Sequence, residues 1–159
     1  MARVLVVAFG NPLRCDDGAA RRAAEMLEGK FLPDEVEIVS LHQLGPELAE
    51  SASQAQCVIF IDAATGDGQP GQVQVTRMSD GSGEPAGPRP FCHALAPASI
   101  IGLAIRLFGT RVQAFSVTIT GQNFDHGESL SPAVKAALPN LIERIHELIQ
   151  ECLSKARNC

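Results

Sequence analysis

A chain of 159 residues, 45% hydrophobic and 19% charged with a net charge of −5, is long and apolar enough for one globular domain with a substantial core. Its 13 basic residues are dispersed, and seven Phe stand beside no Trp or Tyr, which argues against a nucleic-acid partner whose phosphates and bases call for a basic, ring-bearing surface. No apolar stretch approaches the roughly 20 residues of a membrane span, and five cysteines, odd in number and without a CxxC pair, suit reduced thiols in a cytoplasmic protein rather than a disulfide framework or a structural zinc site.

Residues 3–8 form an apolar, β-branched run without alternation, the pattern of a strand covered on both faces. Gly10-Asn11-Pro12 breaks it. A helix is expected from Asp16 or Asp17 to about Glu28, with Ala20, Ala23, Ala24 and Leu27 at helical spacing and Gly29 as its stop. Residues 36–41 read as a second strand. Gly45-Pro46 should open a short helix through Ser51. The wholly apolar run 57–61 reads as a third strand that Asp62 ends.

Residues 65–72 form a Gly-rich loop, and residues 73–78 a shorter strand with some alternation. Three Gly and three Pro within residues 79–90 predict a surface loop. Residues 99–108 read as an apolar helix and residues 112–119 as a fifth strand. Ser131-Pro132 should cap and open the last helix, whose apolar face runs from Val134 to Cys152 with Pro139 inside it. Strands alternating with helices predict an α/β fold. The expected form is a three-layer sandwich around a mostly parallel, roughly five-stranded sheet, one domain over residues 1–159 with a frayed tail from about 154.

In such sheets, ligands bind beyond the carboxyl ends of the strands where strand order reverses. If the first strand lies between the second and third, Asp17 and Asp62 flank that crevice, and His93 joins them if the loop after the fourth strand folds back. Two hard oxygen donors and one imidazole suit nickel, zinc or a similar divalent ion, or proton-transfer chemistry. Each residue also has a plainer reading. Asp16 or Asp17 would cap a helix, Asp62 would be a turn residue, and His93 a loop or capping residue.

Other chemistry finds little support. His146-Glu147 is followed by Gln150, so the HExxH pattern is missing. Neither a GxGxxG cradle nor a GxSxG elbow occurs. Cys15 and Cys92 stand beside the candidate residues but read as small packing residues, because nothing local lowers their pKa.

The ordered set Gly10-Asn11-Pro12-Leu13, Asp16-Asp17-Gly18, Asp62, His93-Ala94-Leu95-Ala96-Pro97-Ala98-Ser99, Thr118-Ile119-Thr120-Gly121 and Leu130-Ser131-Pro132-Ala133-Val134 resembles the endopeptidases that mature the large subunit of nickel-iron hydrogenases. The resemblance implies that Asp17, Asp62 and His93 are the metal-binding and catalytic trio, with Asp16 as an auxiliary. It also implies that the nickel arrives inside the large-subunit precursor, so no permanent cofactor is expected. The reaction would be metal-assisted removal of a short C-terminal extension, without a Ser or Cys nucleophile. Asp16, Asp17 and Asp62 all remain open as the general base.

The chain departs from the family pattern in places. Asp17 stands where some relatives carry Glu, and Ala8 and Ala20 where glycine is common. The segment Leu41-His42-Gln43-Leu44-Gly45-Pro46 replaces an Asp-Gly-Gly-Thr form. That segment resembles the branch serving cytoplasmic, nucleotide-coupled or bidirectional hydrogenases, and it makes His42 and Gln43 candidate readers of the precursor; an ordinary strand-to-helix turn is the plainer account. Two rival functions share the same edge. A nickel-sensing or precursor-binding chaperone would bind without cleaving. A flavodoxin-like module would bind a small ligand, but the first loop lacks a phosphate cradle.

Overall fold

A computed structural model describes residues 2–78 and 95–158. Its sheet holds β1 (Val4–Phe9), β2 (Val36–Leu41), β3 (Cys57–Ala64), β4 (Val73–Met78) and β5 (Gln113–Thr120), in the spatial order β2-β1-β3-β5-β4. The first four strands of that order run parallel, and β4 closes one edge antiparallel to β5. All six residues of β1 and seven of eight in β3 are buried, which explains why their sequences carry no alternation: helices cover both faces.

Two separate cores result. Val4, Val6 and Ala8 of β1 and Cys57, Ile59 and Ile61 of β3 pack against α1 (Ala19–Leu27) and α4 (Pro132–Arg157). Leu5, Val7, Phe9, Val58 and Phe60 pack on the opposite side, with α2 (Leu48–Gln54) and α3 (Pro97–Phe108). The α1 stripe is mostly alanine (Ala19, Ala20, Ala23, Ala24, closed by Leu27), so the helix lies close on the sheet. In α4, Leu141, Ile145 and Ile149 are completely buried, each contributing about 2 kcal/mol of apolar burial. The result is the expected α/β sandwich around a mostly parallel five-stranded sheet.

The helix and strand ends differ from expectation in instructive ways. The chain after β1 enters a 3₁₀ turn at Cys15–Gly18 before α1 begins at Ala19, because both aspartates are engaged by side-chain hydrogen bonds rather than by helix packing. The second helix begins at Leu48, after a turn in which Leu48 donates to the Gly45 carbonyl and Ala49 to that of Pro46. Asp62 does not end its strand: β3 continues to Ala64, held by β5 through the pairs Asp62–Thr118 and Ala64–Thr120. The expected frayed tail is also corrected, since α4 runs unbroken to Arg157. Arg157 reaches Glu35 at 3.2 Å, and Leu153 remains buried in the core. The helix continues through Pro139, which removes the N–H that would have reached the Lys135 carbonyl and sets its ring against that carbonyl. The Pro/Gly-rich segment 79–90 and His93 lie outside the described residues.

Candidate functional site

The strand order places the switch point between β1 and β3: the chain leaves β1 for β2 on one side and later returns to β3 on the other. The crevice at such a point lies beyond the carboxyl ends of the strands. The loop after β1 forms its first wall. Gly10 takes φ +147°, and a methyl group there would collide with the Asp17 carbonyl, so only glycine permits the tight return. Asn11 then organises the turn twice: its side chain accepts from Leu13 N at 2.9 Å, and its backbone carbonyl accepts from Arg14 N at 3.1 Å.

The loop is tied to the segment beyond β5. Cys15 N donates to the Gly127 carbonyl, Gly127 N donates to that of Leu13 (both 2.8 Å), and Arg14 Nε donates to Phe124 O. Cys15 sits at φ +46°, a left-handed conformation that costs a non-glycine residue about 1 kcal/mol or more. Its N–H bond to Gly127 holds it there.

Asp16 is the knot of this lacing. It is completely buried and accepts four hydrogen bonds: from Gln122 N (2.8 Å), Asn123 N (2.9 Å), Ser131 N (2.7 Å) and Ser131 Oγ (2.8 Å). Burial alone would raise its pKa, but the donors from Asn123, Ser131 and Gln122 outweigh that and hold the carboxyl below its ordinary value. All of its local donors stabilise the charged form. A carboxylate so committed and so deeply buried ties three segments of the chain together. Asp16, expected as a catalytic auxiliary, serves here to bind the loop after β1 to the segment after β5.

Asp17, its neighbour, is placed differently. It is only half-buried, and Asn11 N donates to its Oδ2 at 2.7 Å. Among the described residues Oδ1 receives no hydrogen bond. One oxygen thus fixes the rotamer and the other is left without a donor from the described residues. Asp62 forms the opposite wall. It lies one residue beyond the Ala8–Ile61 pair and beside Thr118, so it stands level with the exit of β1. Strand alternation puts it in the row of Val58 and Phe60, on the face covered by α2 and α3. At 9% exposure it is, with Asp16, one of two buried charged residues among those described. The fold thus brings the turn that carries Asp17 against the strand that carries Asp62, at one edge of the sheet. His93, the third expected member, is outside the described residues, which among themselves hold no cluster of three metal-ligating side chains.

His42 and Gln43 leave β2 at the same edge. Gly10 N donates to the Leu41 carbonyl at 3.1 Å, which sets this loop directly beside the first. Both side chains are exposed, and the buried Leu44 anchors the turn into α2. Ala8 and Ala20, standing where glycine is common in the resembled family, are fully buried with their methyls in the core.

Sequence reading missed Gln122, Asn123 and Ser131 as partners of the site. Ser131 reads as a helix cap, and it does precede α4, but its hydroxyl caps nothing and turns to Asp16 instead. The available signal was Gly121: a side chain there would strike the Phe124 ring and crowd Asp16 Cβ. A cavity of about 890 Å³ lies elsewhere, along α1 and α4 between Met26, Leu138, Ile142 and His146. Its acidic residues Glu128, Glu143 and Glu147 are interspersed with Arg22, Lys30 and Lys135, and among the described residues no three side chains are grouped to hold a metal.

No family model matches the sequence, and no curated relative matches it. Solved structures do. The hydrogenase maturating endopeptidase HybD from Escherichia coli superposes with a TM-score of 0.72 at 24% identity, over 94% of this chain and 93% of that one. This chain has the fold of the hydrogenase maturation endopeptidases. The NiFe hydrogenase maturation protease HybD from Thermococcus kodakarensis gives 0.66 at 24% identity over 92% and 99% of the two chains. HycI of the same organism gives 0.72 at 19% over 94% and 93%. Identities this low establish architecture; activity has to be argued from the site.

Proposed function

We propose that this chain is an endopeptidase that removes a C-terminal extension from the nickel-loaded large-subunit precursor of a nickel-iron hydrogenase. The observation that carries the reading is that the turn bearing Asp17 and the strand bearing Asp62 meet at the switch point of the sheet, in a fold shared with solved hydrogenase maturation endopeptidases. Asp17, Asp62 and His93 would engage the nickel that the precursor carries, bringing the scissile bond to the crevice mouth. The metal is part of the substrate, and the chain needs no resident cofactor.

In the reaction a water oxygen bonds to the scissile carbonyl carbon and the C–N bond breaks. One carboxylate accepts the water's proton, which passes to the departing amine. Asp17 and Asp62 remain the candidates, Asp16 being deeply buried and committed to tying the chain together. A metal beside the peptide can polarise the carbonyl or acidify the water. The exposed His42 and Gln43 would touch the precursor beside the cleavage point. Their form supports a cytoplasmic, nucleotide-coupled or bidirectional hydrogenase as its source, with processing in the cytoplasm. No helix among the described residues is long and apolar enough to cross a membrane.

The test is incubation of the purified chain with nickel-containing and nickel-free precursor, then mass measurement of the products. Shortening of the nickel-loaded form alone is expected. Equal cleavage of both would remove nickel recognition, and binding without shortening would favour the chaperone reading.

A further inference from the structure

Five cysteines without a paired spacing conceal a pair that the fold creates. Cys57 opens β3 and Cys152 lies in the penultimate turn of α4, 95 residues away in the chain, yet their sulfurs are 2.8 Å apart. Both are almost wholly buried, at 3% and 5% exposure, and both are free thiols. A disulfide requires the sulfurs to close to about 2.05 Å, a movement of less than a bond length. We propose that Cys57 and Cys152 are a built oxidation site, a dithiol that converts to a disulfide clamp between the central sheet and the C-terminal helix.

The chemistry is thiol–disulfide exchange with a small-molecule disulfide as oxidant. The Cys152 sulfur attacks one sulfur of the oxidant, forming a mixed disulfide and breaking the oxidant's S–S bond; the first small thiolate leaves and takes up a proton. Cys57 then gives its proton to solvent, and its sulfur attacks that of Cys152, expelling the second small thiol. Two protein thiols are oxidised and one disulfide is reduced to two thiols, so the electrons balance. The contact prepares this order. Either sulfur can donate the bond they share; with the proton on Cys57, that bond and burial push the Cys57 thiol up, while the bond holds Cys152 below the ordinary thiol value despite its burial. Cys152 also lies five residues before the end of α4, so a local opening confined to the helix end suffices to admit a reagent.

The clamp would act on stability and leave the crevice alone. Cys57 pairs with Val4 and Gln113 at the amino edge of the sheet, and Asp62 lies five residues further along the strand, roughly 16 Å away. Closing so long a loop restricts the unfolded chain strongly. The readouts, mass and melting, do not depend on the proposed peptidase activity.

The full chain, reduced and then exposed to oxidised glutathione without denaturant, is alkylated, digested and weighed, and its melting is compared with that of the reduced form. The expected result is a Cys57–Cys152 peptide pair two hydrogens lighter than the dithiol, with a melting temperature higher by at least several degrees. Cys57→Ala should melt at the same temperature with and without oxidant. If that variant does not fold, mapping of the unaltered chain still decides. Both thiols remaining free, either one joined instead to Cys15, Cys92 or Cys159, or a clamped chain that melts no higher would overturn the proposal.

Discussion

The loops that leave β1 and β2 emerge side by side at one sheet edge, yet they are built on opposite principles. The first is laced: Gly10 makes a return that admits no side chain, Asn11 closes its turn, and Asp16 takes four donors from the segment after β5. The second is open, with His42 and Gln43 exposed and Leu44 as its anchor. Hydrogen bonds are concentrated in the loop that carries Asp17, the proposed catalytic carboxylate, and exposure in the loop that carries His42 and Gln43, the proposed readers of the precursor. Within the laced loop the same division recurs between neighbours: Asp16 holds the structure and Asp17 is presented by it.

That contrast can be broken at several points. The largest expected effect is on cleavage. Asp62→Ala and His93→Ala should each lower processing of the nickel-loaded precursor by at least about 100-fold, the scale expected when a group acting on the reacting centre is lost, while far-ultraviolet dichroism stays unchanged. Retention of full processing by either variant would take that residue out of the site.

Next comes Asp16→Asn. Its amide would point N–H groups at backbone N–H donors, leaving buried polar groups opposed. A loss on the order of 3 kcal/mol is expected, roughly a 10 °C drop in melting for a chain of this size. The pH dependence has a definite sign. The folded carboxyl titrates below its ordinary value of 3.8. Its stabilisation is therefore complete above the unfolded value and disappears as pH falls through the lower folded one. Melting of the native chain should fall across this acid window more steeply than melting of Asp16→Asn; parallel acid profiles would deny Asp16 its role.

Gly10→Ala sharpens the same point from the backbone. It should destabilise by about 2 kcal/mol, since φ is positive and the Asp17 carbonyl is in the way, and it should reduce processing by displacing Asp17. The smallest expected change in stability comes from the open loop. Replacing residues 40–45 with an Asp-Gly-Gly-Thr type of segment should move stability by only about 0.5 kcal/mol, yet alter the preference between two competing precursors, because a few central groups can govern an interface. A folded, active chimera with unchanged preference would leave His42 an ordinary turn residue.

The sandwich was legible because both-face burial writes itself into β1 and β3 as unbroken apolar runs, and because Ala20, Ala23, Ala24 and Leu27 repeat at helical spacing. That Asp17 and Asp62 lie toward one edge of the sheet could be expected because the assumed order, β1 between β2 and β3, is the order found. Asp16 could not be told from Asp17 by sequence, since the difference lies in donors 106 to 115 residues away. The continuation of β3 past Asp62 was hidden for a related reason: the partner that extends it, β5, is remote in the chain. The approach of Cys57 to Cys152 is likewise a through-space fact, invisible to any count of spacings.

Asp17→Asn isolates the central claim, because it keeps an oxygen to accept from Asn11 N and changes little but charge. Native and variant chains are incubated with nickel-loaded precursor, the precursor's mass is measured over time, and melting is recorded alongside. The expected result is a shortened precursor with the native chain, a full-length one with the variant, and matching melting temperatures. Cleavage by Asp17→Asn at the native rate would contradict the assignment of Asp17 as the carboxylate this loop exists to present.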